Sequence, residues 1–208
     1  MLTGEKKRAP DGYEVALFPC EAMYLTEARV PPEHDVLALD FLPRNTEGAR
    51  ISPMNVYAPF SGTIVYTGND HNCILESDDF VHFADGTLEK MRVLVAHSWN
   101  APTLGAHYNQ GDLFYTTGNY GQSQGEHLHM EVAVAHGSYW NDGGIGLRNG
   151  YHMWDALYVD DTVLLRTGDF NWKEYGHTPP PAPTGKSNFI GVYNSIYNVK
   201  RKEVNIYV

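Results

Sequence analysis

The sequence has few of the features that mark secreted or membrane proteins. Only two of its 208 residues are cysteine. Cys20 and Cys73 lie far apart and form no CxxC pair, so neither a zinc–thiolate site nor a disulfide framework is expected. No run approaches the roughly 18 apolar residues that a membrane span needs. The first residues, MLTGEKKRAPDG, lack the apolar core of a signal peptide. We therefore expect no membrane span and no classical export signal.

Positive charge is also scarce. The chain has 15 Lys and Arg against 25 Asp and Glu, which gives a formal net charge of −10 at pH 7. Its compact basic runs, Lys6-Lys7-Arg8 and Lys200-Arg201-Lys202, lie near the two ends. Affinity for a phosphate backbone requires a basic surface. The composition therefore argues against a nucleic-acid partner. Because the two cysteines form no CxxC pair, any bound metal must be held by nitrogen and oxygen ligands.

Long apolar runs with a helical period are missing, and short strand-like runs take their place. These runs are rich in Val, Ile, Tyr and Leu and alternate with turn residues. They are VLALDF at 36–41, NVYAPF at 55–60, TIVYT at 63–67, MRVLVAH at 91–97, LFYTT at 113–117, HLHMEVAVA at 127–135 and ALYV at 156–159. The pattern predicts an all-β fold, an antiparallel sheet or barrel-like sandwich, with Ser61 and Gly62 forming a tight hairpin between two strands.

Loops and ends divide the rest of the chain. Long loops at 42–53, 98–111, 118–126 and 136–154 are expected to form a groove, because sites are usually built from loops on a sheet scaffold. We predict four segments, listed here in order: a flexible N-terminus (1–12), one globular domain (13–176), a stiff proline-rich linker HTPPPAPTGK (177–186), and a strand-like tail (187–208) that docks on the domain or on a partner.

The stretch GEHLHMEV places two histidines one residue apart. Side chains alternate along a strand, so His127 and His129 share one face while Leu128, Met130 and Val132 point into a core. With 10 histidines in the chain, this spacing alone is a weak motif. Glu131 shares the histidine face, where it either orients His129 by a hydrogen bond or stays a solvated carboxylate.

Other candidate residues lie upstream of this pair. His34 precedes Asp40 by six positions in EHDVLALDF, and His97 ends the run RVLVAH. A hydrolytic zinc site needs three protein ligands and one open position. His34, Asp40 and His129 supply two imidazoles and a carboxylate, which leaves His97 and His127 to take a proton or stabilise an oxyanion. Taken alone, Asp40 could instead be a turn or edge carboxylate, and His97 could be a partly buried core histidine.

Together these stretches resemble the lysostaphin-type, or LytM-like, zinc metallopeptidases that cut bacterial cell walls. VYAPFSGTIV resembles the hairpin of that family, ALDF the segment with its aspartate ligand, and GEHLHMEV its HxH strand. VLVAHSW supplies the additional histidine in the family's order. The resemblance covers roughly residues 13–170, and the spacing between His34 and Asp40 is longer than the usual HxxxD, as in phage-encoded branches.

The resemblance implies a complete site and a fold of the duplicated-hybrid-motif type. It implies one Zn²⁺ per chain held by His34, Asp40 and His129, with His97 and His127 as catalytic histidines. It implies hydrolysis of a peptide bond in peptidoglycan. The other histidines match no part of the motif and are expected to be surface or loop residues: His71, His82, His107, His136, His152 and His177.

Two other functions remain open at this point. A metal-binding cupin barrel would share the spacing from Gly121 to the HxH pair, but the glutamate it requires is replaced by Ala133 or Val134, and its later histidine motif is missing. A catalytically degenerate domain of the same fold could serve as a structural or wall-binding part of a phage tail, with the tail 187–208 contacting other tail proteins. Without a signal peptide, we expect a phage lysin in the virion or the host cytoplasm, released to the cell wall.

Overall fold

The fold is known for most of the predicted domain. The computed structural model describes residues 1, 3–28, 37–100, 102–142, 144, 146–159 and 162–166. Four predictions fall outside these residues: the ligand role of His34, the surface or loop position of His177, the linker 177–186 and the tail 187–208.

The described part of the chain is almost entirely strand, which confirms the predicted all-β class. It contains fourteen strands and one short helix, α1, at Met153–Ala156. The strands are β1 Glu14–Val15, β2 Ala22–Ala28, β3 Leu39–Phe41, β4 Asn55–Tyr57, β5 Gly62–Thr67, β6 Cys73–Ser77, β7 Val81–His82, β8 Leu88–Glu89, β9 Met91–Ala96, β10 His107–Tyr108, β11 Leu113–Thr116, β12 Leu128–Val134, β13 Gly150–Tyr151 and β14 Val163–Arg166. Among the described residues, no helix has the length and apolar character needed to cross a membrane.

One large sheet carries most of the structure. Within the described residues it has nine strands in the order β10-β5-β6-β9-β12-β3-β2-β14, and β13 adds to β12. Its pairs are antiparallel, except that β14 runs parallel to β2. A β4–β11 ladder and a small β1–β7–β8 sheet complete the described strands. Strands β9, β12 and β3 therefore lie side by side in the middle of the large sheet.

Alternation along the central strands separates a core face from an open face. Leu128, Met130 and Val132 of β12 are fully buried, as the HxH stretch predicted. They belong to the main hydrophobic cluster together with side chains of β3, β4, β9, β11 and α1. The intervening residues of β12, His129 and Glu131, consequently point to the other face of the sheet.

The predicted hairpin at Ser61 and Gly62 is wrong. The two flanking strands exist, but β4 pairs with β11 while β5 pairs with β6 and β10. Gly62 opposes Ser77 in the β5–β6 ladder, and a Cβ there would come within 2.4 Å of the Glu76 carbonyl oxygen. This glycine permits a close approach between strands and does not form a hairpin turn.

We expect Gly62→Ala to lower the free energy of unfolding by about 1–3 kcal/mol, because a backbone carbonyl cannot move aside as a flexible side chain can. Gly125→Ala is the matched control, since a Cβ added at Gly125 would meet no other atom within 4 Å. Thermal or urea unfolding of both variants gives the measurement. Equal stability of the two variants would contradict the packing argument.

The predicted strand at 156–159 is largely wrong as well. Met153–Ala156 forms the turn of α1, closed by the Leu157 N–H donating to the Met153 carbonyl. Met153, Trp154 and Ala156 are buried, so packing of this turn against the core outweighs the strand-like composition. From the predicted strand, Tyr158 makes an isolated parallel bridge with Leu17.

The N-terminal segment makes several contacts with the domain. The flexibility of residues 1–12 stays a prediction. In the described residues of this segment, Gly4 N–H donates to the Gly111 carbonyl at 3.0 Å and Lys7 N–H to Gln110 Oε1 at 2.8 Å. The segment therefore follows the loop before β11.

Both cysteines are free and fully buried. Burial raises the pKa of the Cys20 thiol to about 12 and also raises that of Cys73. Because the thiolate is the reactive form, neither side chain should react with Ellman's reagent at pH 8 while the chain is folded. Two thiols per chain should react in denaturant. Rapid labelling of the native chain would contradict this burial.

Candidate metal and catalytic site

Strand register brings together two candidate ligands that lie far apart in sequence. In the antiparallel pairing of β12 with β3, His129 is directly opposite Asp40. On its other side, in the pairing of β12 with β9, His129 is opposite Ala96. The neighbours of Asp40 in β3, Leu39 and Phe41, are buried in the core. Asp40 and His129 thus share the open face of the sheet.

His129 lies between two carboxylates. Its Nδ1 is 3.1 Å from Asp40 Oδ1, and its Nε2 is 3.2 Å from Glu131 Oε1. Burial by itself lowers the pKa of His129, but the bonds to Asp40 and Glu131 outweigh burial and raise it to about 10. In the absence of metal the ring therefore carries a proton on both nitrogens.

Glu131 is the residue whose role the sequence left open, and it contacts His129. It is only 4% exposed, so it is not a solvated carboxylate. One oxygen accepts from His129 Nε2, and the other accepts from the Leu147 N–H at 2.7 Å. These two bonds fix the orientation of the His129 ring, whose Nδ1 then faces Asp40.

His127 lies immediately before β12 and reaches the same carboxylate. Its Nδ1 is 2.7 Å from the Gly125 carbonyl. A carbonyl can only accept, so Nδ1 carries the hydrogen and donates it. The other nitrogen, Nε2, lies 3.6 Å from Asp40 Oδ2. His127 therefore presents Nε2 to the Asp40 side of the site.

His97 directly follows the end of β9 and has a left-handed backbone, with φ at +76°. Such a conformation is costly for a residue other than glycine and is often found at functional sites. Its Nδ1 lies 2.9 Å from the Tyr120 carbonyl and must likewise donate to it. Burial lowers the pKa of His97 and so disfavours the protonated ring. The His97 and His127 ring centroids are 4.6 Å apart.

These side chains line one groove of about 1060 Å³. Its floor is the open face of β3, β9 and β12, and residues 121–125 together with Trp140, Gly144 and Gly146 also line it. Of the candidates from the sequence, Asp40, His97, His127 and His129 all line this groove. The described lining contains no lysine or arginine. The structure thus brings four of the five predicted residues together.

The described donors have the chemistry of a zinc site. Asp40 offers a carboxylate, and His129 directs Nδ1 towards it. Glu131 holds the other nitrogen of the His129 ring, Nε2. Zinc-bound histidines commonly have such a carboxylate on the nitrogen that does not bind the metal. A metal ion at that position would replace the proton that now joins His129 to Asp40. No three His, Cys, Asp or Glu side chains within the described ranges are placed as a metal cluster. The donors present fit zinc, and the predicted third ligand, His34, lies outside those ranges.

Sequence reasoning missed the backbone groups that orient the catalytic candidates. The carbonyls of Tyr120 and Gly125 both belong to the loop 118–126 and accept from His97 and His127. A backbone carbonyl has no residue-type signal, so composition could indicate only that a long loop lay nearby. Other described histidines bond elsewhere; His107, for example, lies 2.6 Å from Asp78.

The chain is similar to a distant curated relative. No protein-family model matches the chain. Morphogenesis protein 1 of Bacillus phage B103 is 24% identical over 179 residues, which are 83% of this chain and 47% of the relative. The chain therefore spans about half the length of this curated protein.

Several solved structures have partial similarity to this chain. The catalytic domain of the antimicrobial peptidase lysostaphin from Staphylococcus simulans is 21% identical, over 56% of this chain and 84% of that one. A catalytic-domain mutant of the prophage-encoded M23 protein EnpA from Enterococcus faecalis is 12% identical, over 55% and 82%. A zinc-containing peptidase from Vibrio cholerae is 15% identical, over 62% and 43%. Each has a TM-score of 0.39, too low to carry an argument about activity. The comparisons therefore give the names of similar proteins and no activity for this chain.

Proposed function

We propose that the chain is a zinc-dependent endopeptidase that hydrolyses peptide bonds in bacterial cell-wall peptidoglycan. The observation that carries the proposal is the convergence of Asp40, His129, His127 and His97 in one groove. The same four residues are those singled out by the family motifs, although Asp40 and His129 are 89 positions apart in the chain. Their meeting depends on strand register and is not a consequence of sequence proximity.

In this proposal Asp40, His129 and His34 hold the metal. When bound, zinc supplies a Lewis acid that polarises the scissile carbonyl and acidifies the attacking water. Glu131 keeps the His129 ring turned so that Nδ1 faces Asp40. Removal of the His129 proton accompanies metal binding, because an imidazole nitrogen must be deprotonated to act as a ligand.

The two remaining histidines move protons. His127 carries its hydrogen on Nδ1, so Nε2 has a free lone pair in the neutral ring and can accept a proton from the attacking water. His97 has the same tautomer and a lowered pKa. We assign it to the tetrahedral oxyanion and the leaving amine. Its Nε2 would take up a proton from solvent, donate it in a hydrogen bond to the oxyanion and then pass it to the amine.

The motifs and the relative support the proposed substrate and setting. The motifs resemble cell-wall peptidases, and the distant relative is a phage morphogenesis protein. A phage lysin or virion-associated lysin combines the two. Its substrate would be a stem peptide or cross-bridge, which the open groove can receive as an extended chain.

A second candidate is a degenerate domain of the same fold that serves as a structural or wall-binding part of a phage tail. The name of the curated relative and the long spacing between His34 and Asp40 favour it. In that case the groove would bind wall without cutting it.

Release of new amino termini from purified Gram-positive walls distinguishes the two functions. Walls of different cross-bridge types should be incubated with zinc-loaded chain and with chelator-treated chain. We expect new amino termini on at least one wall type, lost with the chelator and restored by zinc. Wall binding with no new termini on any type would favour the degenerate domain.

A further inference from the structure

Two aromatic rings, of His71 and Tyr120, stack next to residues that line the groove. The imidazole of His71 and the ring of Tyr120 have centroids 3.7 Å apart and planes inclined by 3°. His71 lies in the turn between β5 and β6, whereas Tyr120 belongs to the loop that leads to β12. Tyr120 is 41% exposed, so this contact is not a consequence of deep burial.

The His71 side of the stack is firmly anchored. Its Nδ1 donates to the Ser98 carbonyl at 2.9 Å, since that carbonyl can only accept. Its own carbonyl accepts from the Tyr115 hydroxyl at 2.5 Å. The Tyr115 oxygen in turn accepts from the Ser98 N–H at 3.0 Å. The ring of His71 is thereby fixed relative to the segment that follows β9.

The Tyr120 side of the stack is bonded directly to His97. The Tyr120 N–H donates to the His97 carbonyl at 3.0 Å. The Tyr120 carbonyl accepts from His97 Nδ1 at 2.9 Å. This second bond holds the hydrogen on Nδ1 and leaves the lone pair of the neutral ring on Nε2.

Glycines on either side of Tyr120 permit this close arrangement. A Cβ at Gly118 would come within 2.3 Å of the His97 carbonyl oxygen. A Cβ at Gly121 would come within 2.3 Å of Asp70 Oδ1, and Gly121 has φ at +76°. The Tyr120 backbone therefore rests between the segment after β9 and the turn that carries Asp70 and His71.

We propose that His71 is a positioning residue for His97, acting through the stack on Tyr120 to hold the carbonyl that fixes the His97 tautomer and ring orientation. This inference rests on the proposed function, in which His97 takes part in proton transfer. His71 itself contacts no reacting group. Removing its ring frees Tyr120 to move, and the Tyr120 carbonyl then no longer holds His97 in one orientation.

The kinetic test compares ring removal with ring retention. His71→Ala and Tyr120→Ala should each lower kcat on a soluble wall fragment by about 10- to 100-fold, the scale expected from slight misplacement of a reacting group, with KM changed less than about twofold. The double variant should have a kcat no lower than that of the single variants, because both substitutions remove the same stacking interaction. His71→Phe and Tyr120→Phe keep the stack and should recover most of the loss.

A spectroscopic test is independent of activity. The tautomer of His97 can be read from side-chain ¹⁵N NMR of the metal-free chain at pH 7.5. The His97 signal is assigned from its loss in His97→Gln. In the wild type we expect the hydrogen on Nδ1. His71→Ala should show a mixture of tautomers, whereas His71→Phe and the surface control His107→Ala should match the wild type. Circular dichroism checks that each variant is folded.

The outcomes separate the two proposals. If the wild type cuts no wall fragment but its His97 tautomer depends on His71, the proposed function fails while the positioning role stands. The positioning role is overturned if folded His71→Ala keeps the wild-type tautomer of His97 and, where the wild type is active, the wild-type kcat. The stack would then contribute packing between the two rings and nothing more. If His71→Ala does not fold, the same comparison between Tyr120→Ala and Tyr120→Phe decides.

Discussion

His129→Ala should weaken zinc binding by more than about 100-fold and abolish wall cleavage. In the proposed site the change removes a ligand, whereas loss of an outer hydrogen-bond partner alone costs about 10- to 100-fold. It also leaves Asp40 and Glu131 without the ring that lies between them. Zinc titration by calorimetry, followed by assay of new amino termini at saturating zinc, measures both effects.

A matched control separates metal loss from unfolding. His136→Ala removes an exposed histidine that pairs with Glu89 on the surface, so it should bind zinc and cut walls as the wild type does. His129→Gln retains a polar group between the two carboxylates and should be folded but still poor in zinc. Full cleavage by His129→Ala would contradict the assigned metal centre.

His127→Ala should have a different signature, with zinc retained and turnover lost. In the proposal His127 is a proton acceptor, and such groups contribute about 10²- to 10⁴-fold to rate. Its Nδ1 bond to Gly125 orients Nε2 but does not support the Asp40–His129 pair. The drop should therefore be in kcat, with the zinc content of the purified chain unchanged.

Ser123→Ala is the matched control for this variant. Its hydroxyl lies 3.3 Å from His127 Nδ1, a weaker contact than the Gly125 carbonyl at 2.7 Å. We expect a change in kcat of less than about threefold, because the stronger bond alone keeps the tautomer. Loss of zinc in His127→Ala would mean that His127 is a ligand, and the roles of the histidines would have to be exchanged.

Much of the site could be predicted from local patterns because strands alternate their side chains. The HxH stretch correctly placed Met130 in the core and His129 on the opposite face. The motif order also selected Asp40, which lies opposite His129 in the register of β12 and β3. Register itself is a tertiary property, and without the family resemblance the sequence offered no means of pairing these strands.

Contacts that depend on packing or backbone groups were beyond the sequence. The Ser61–Gly62 pair has the composition of a turn, but Gly62 is needed for close approach to β6. His71 matched no motif, and its stack on Tyr120 joins two loops whose meeting no local pattern indicates. The acceptors for His97 and His127 are main-chain carbonyls, which any residue type can provide.

The metal centre is the central claim, and elemental analysis tests it most directly. The purified wild-type chain and His34→Ala should be compared after dialysis against trace zinc. We expect about one zinc per wild-type chain and loss of it in His34→Ala, since a zinc site needs three protein ligands and Asp40 and His129 supply two. Absence of zinc from the wild type would contradict the metal centre, and zinc retained by His34→Ala would contradict its assigned third ligand.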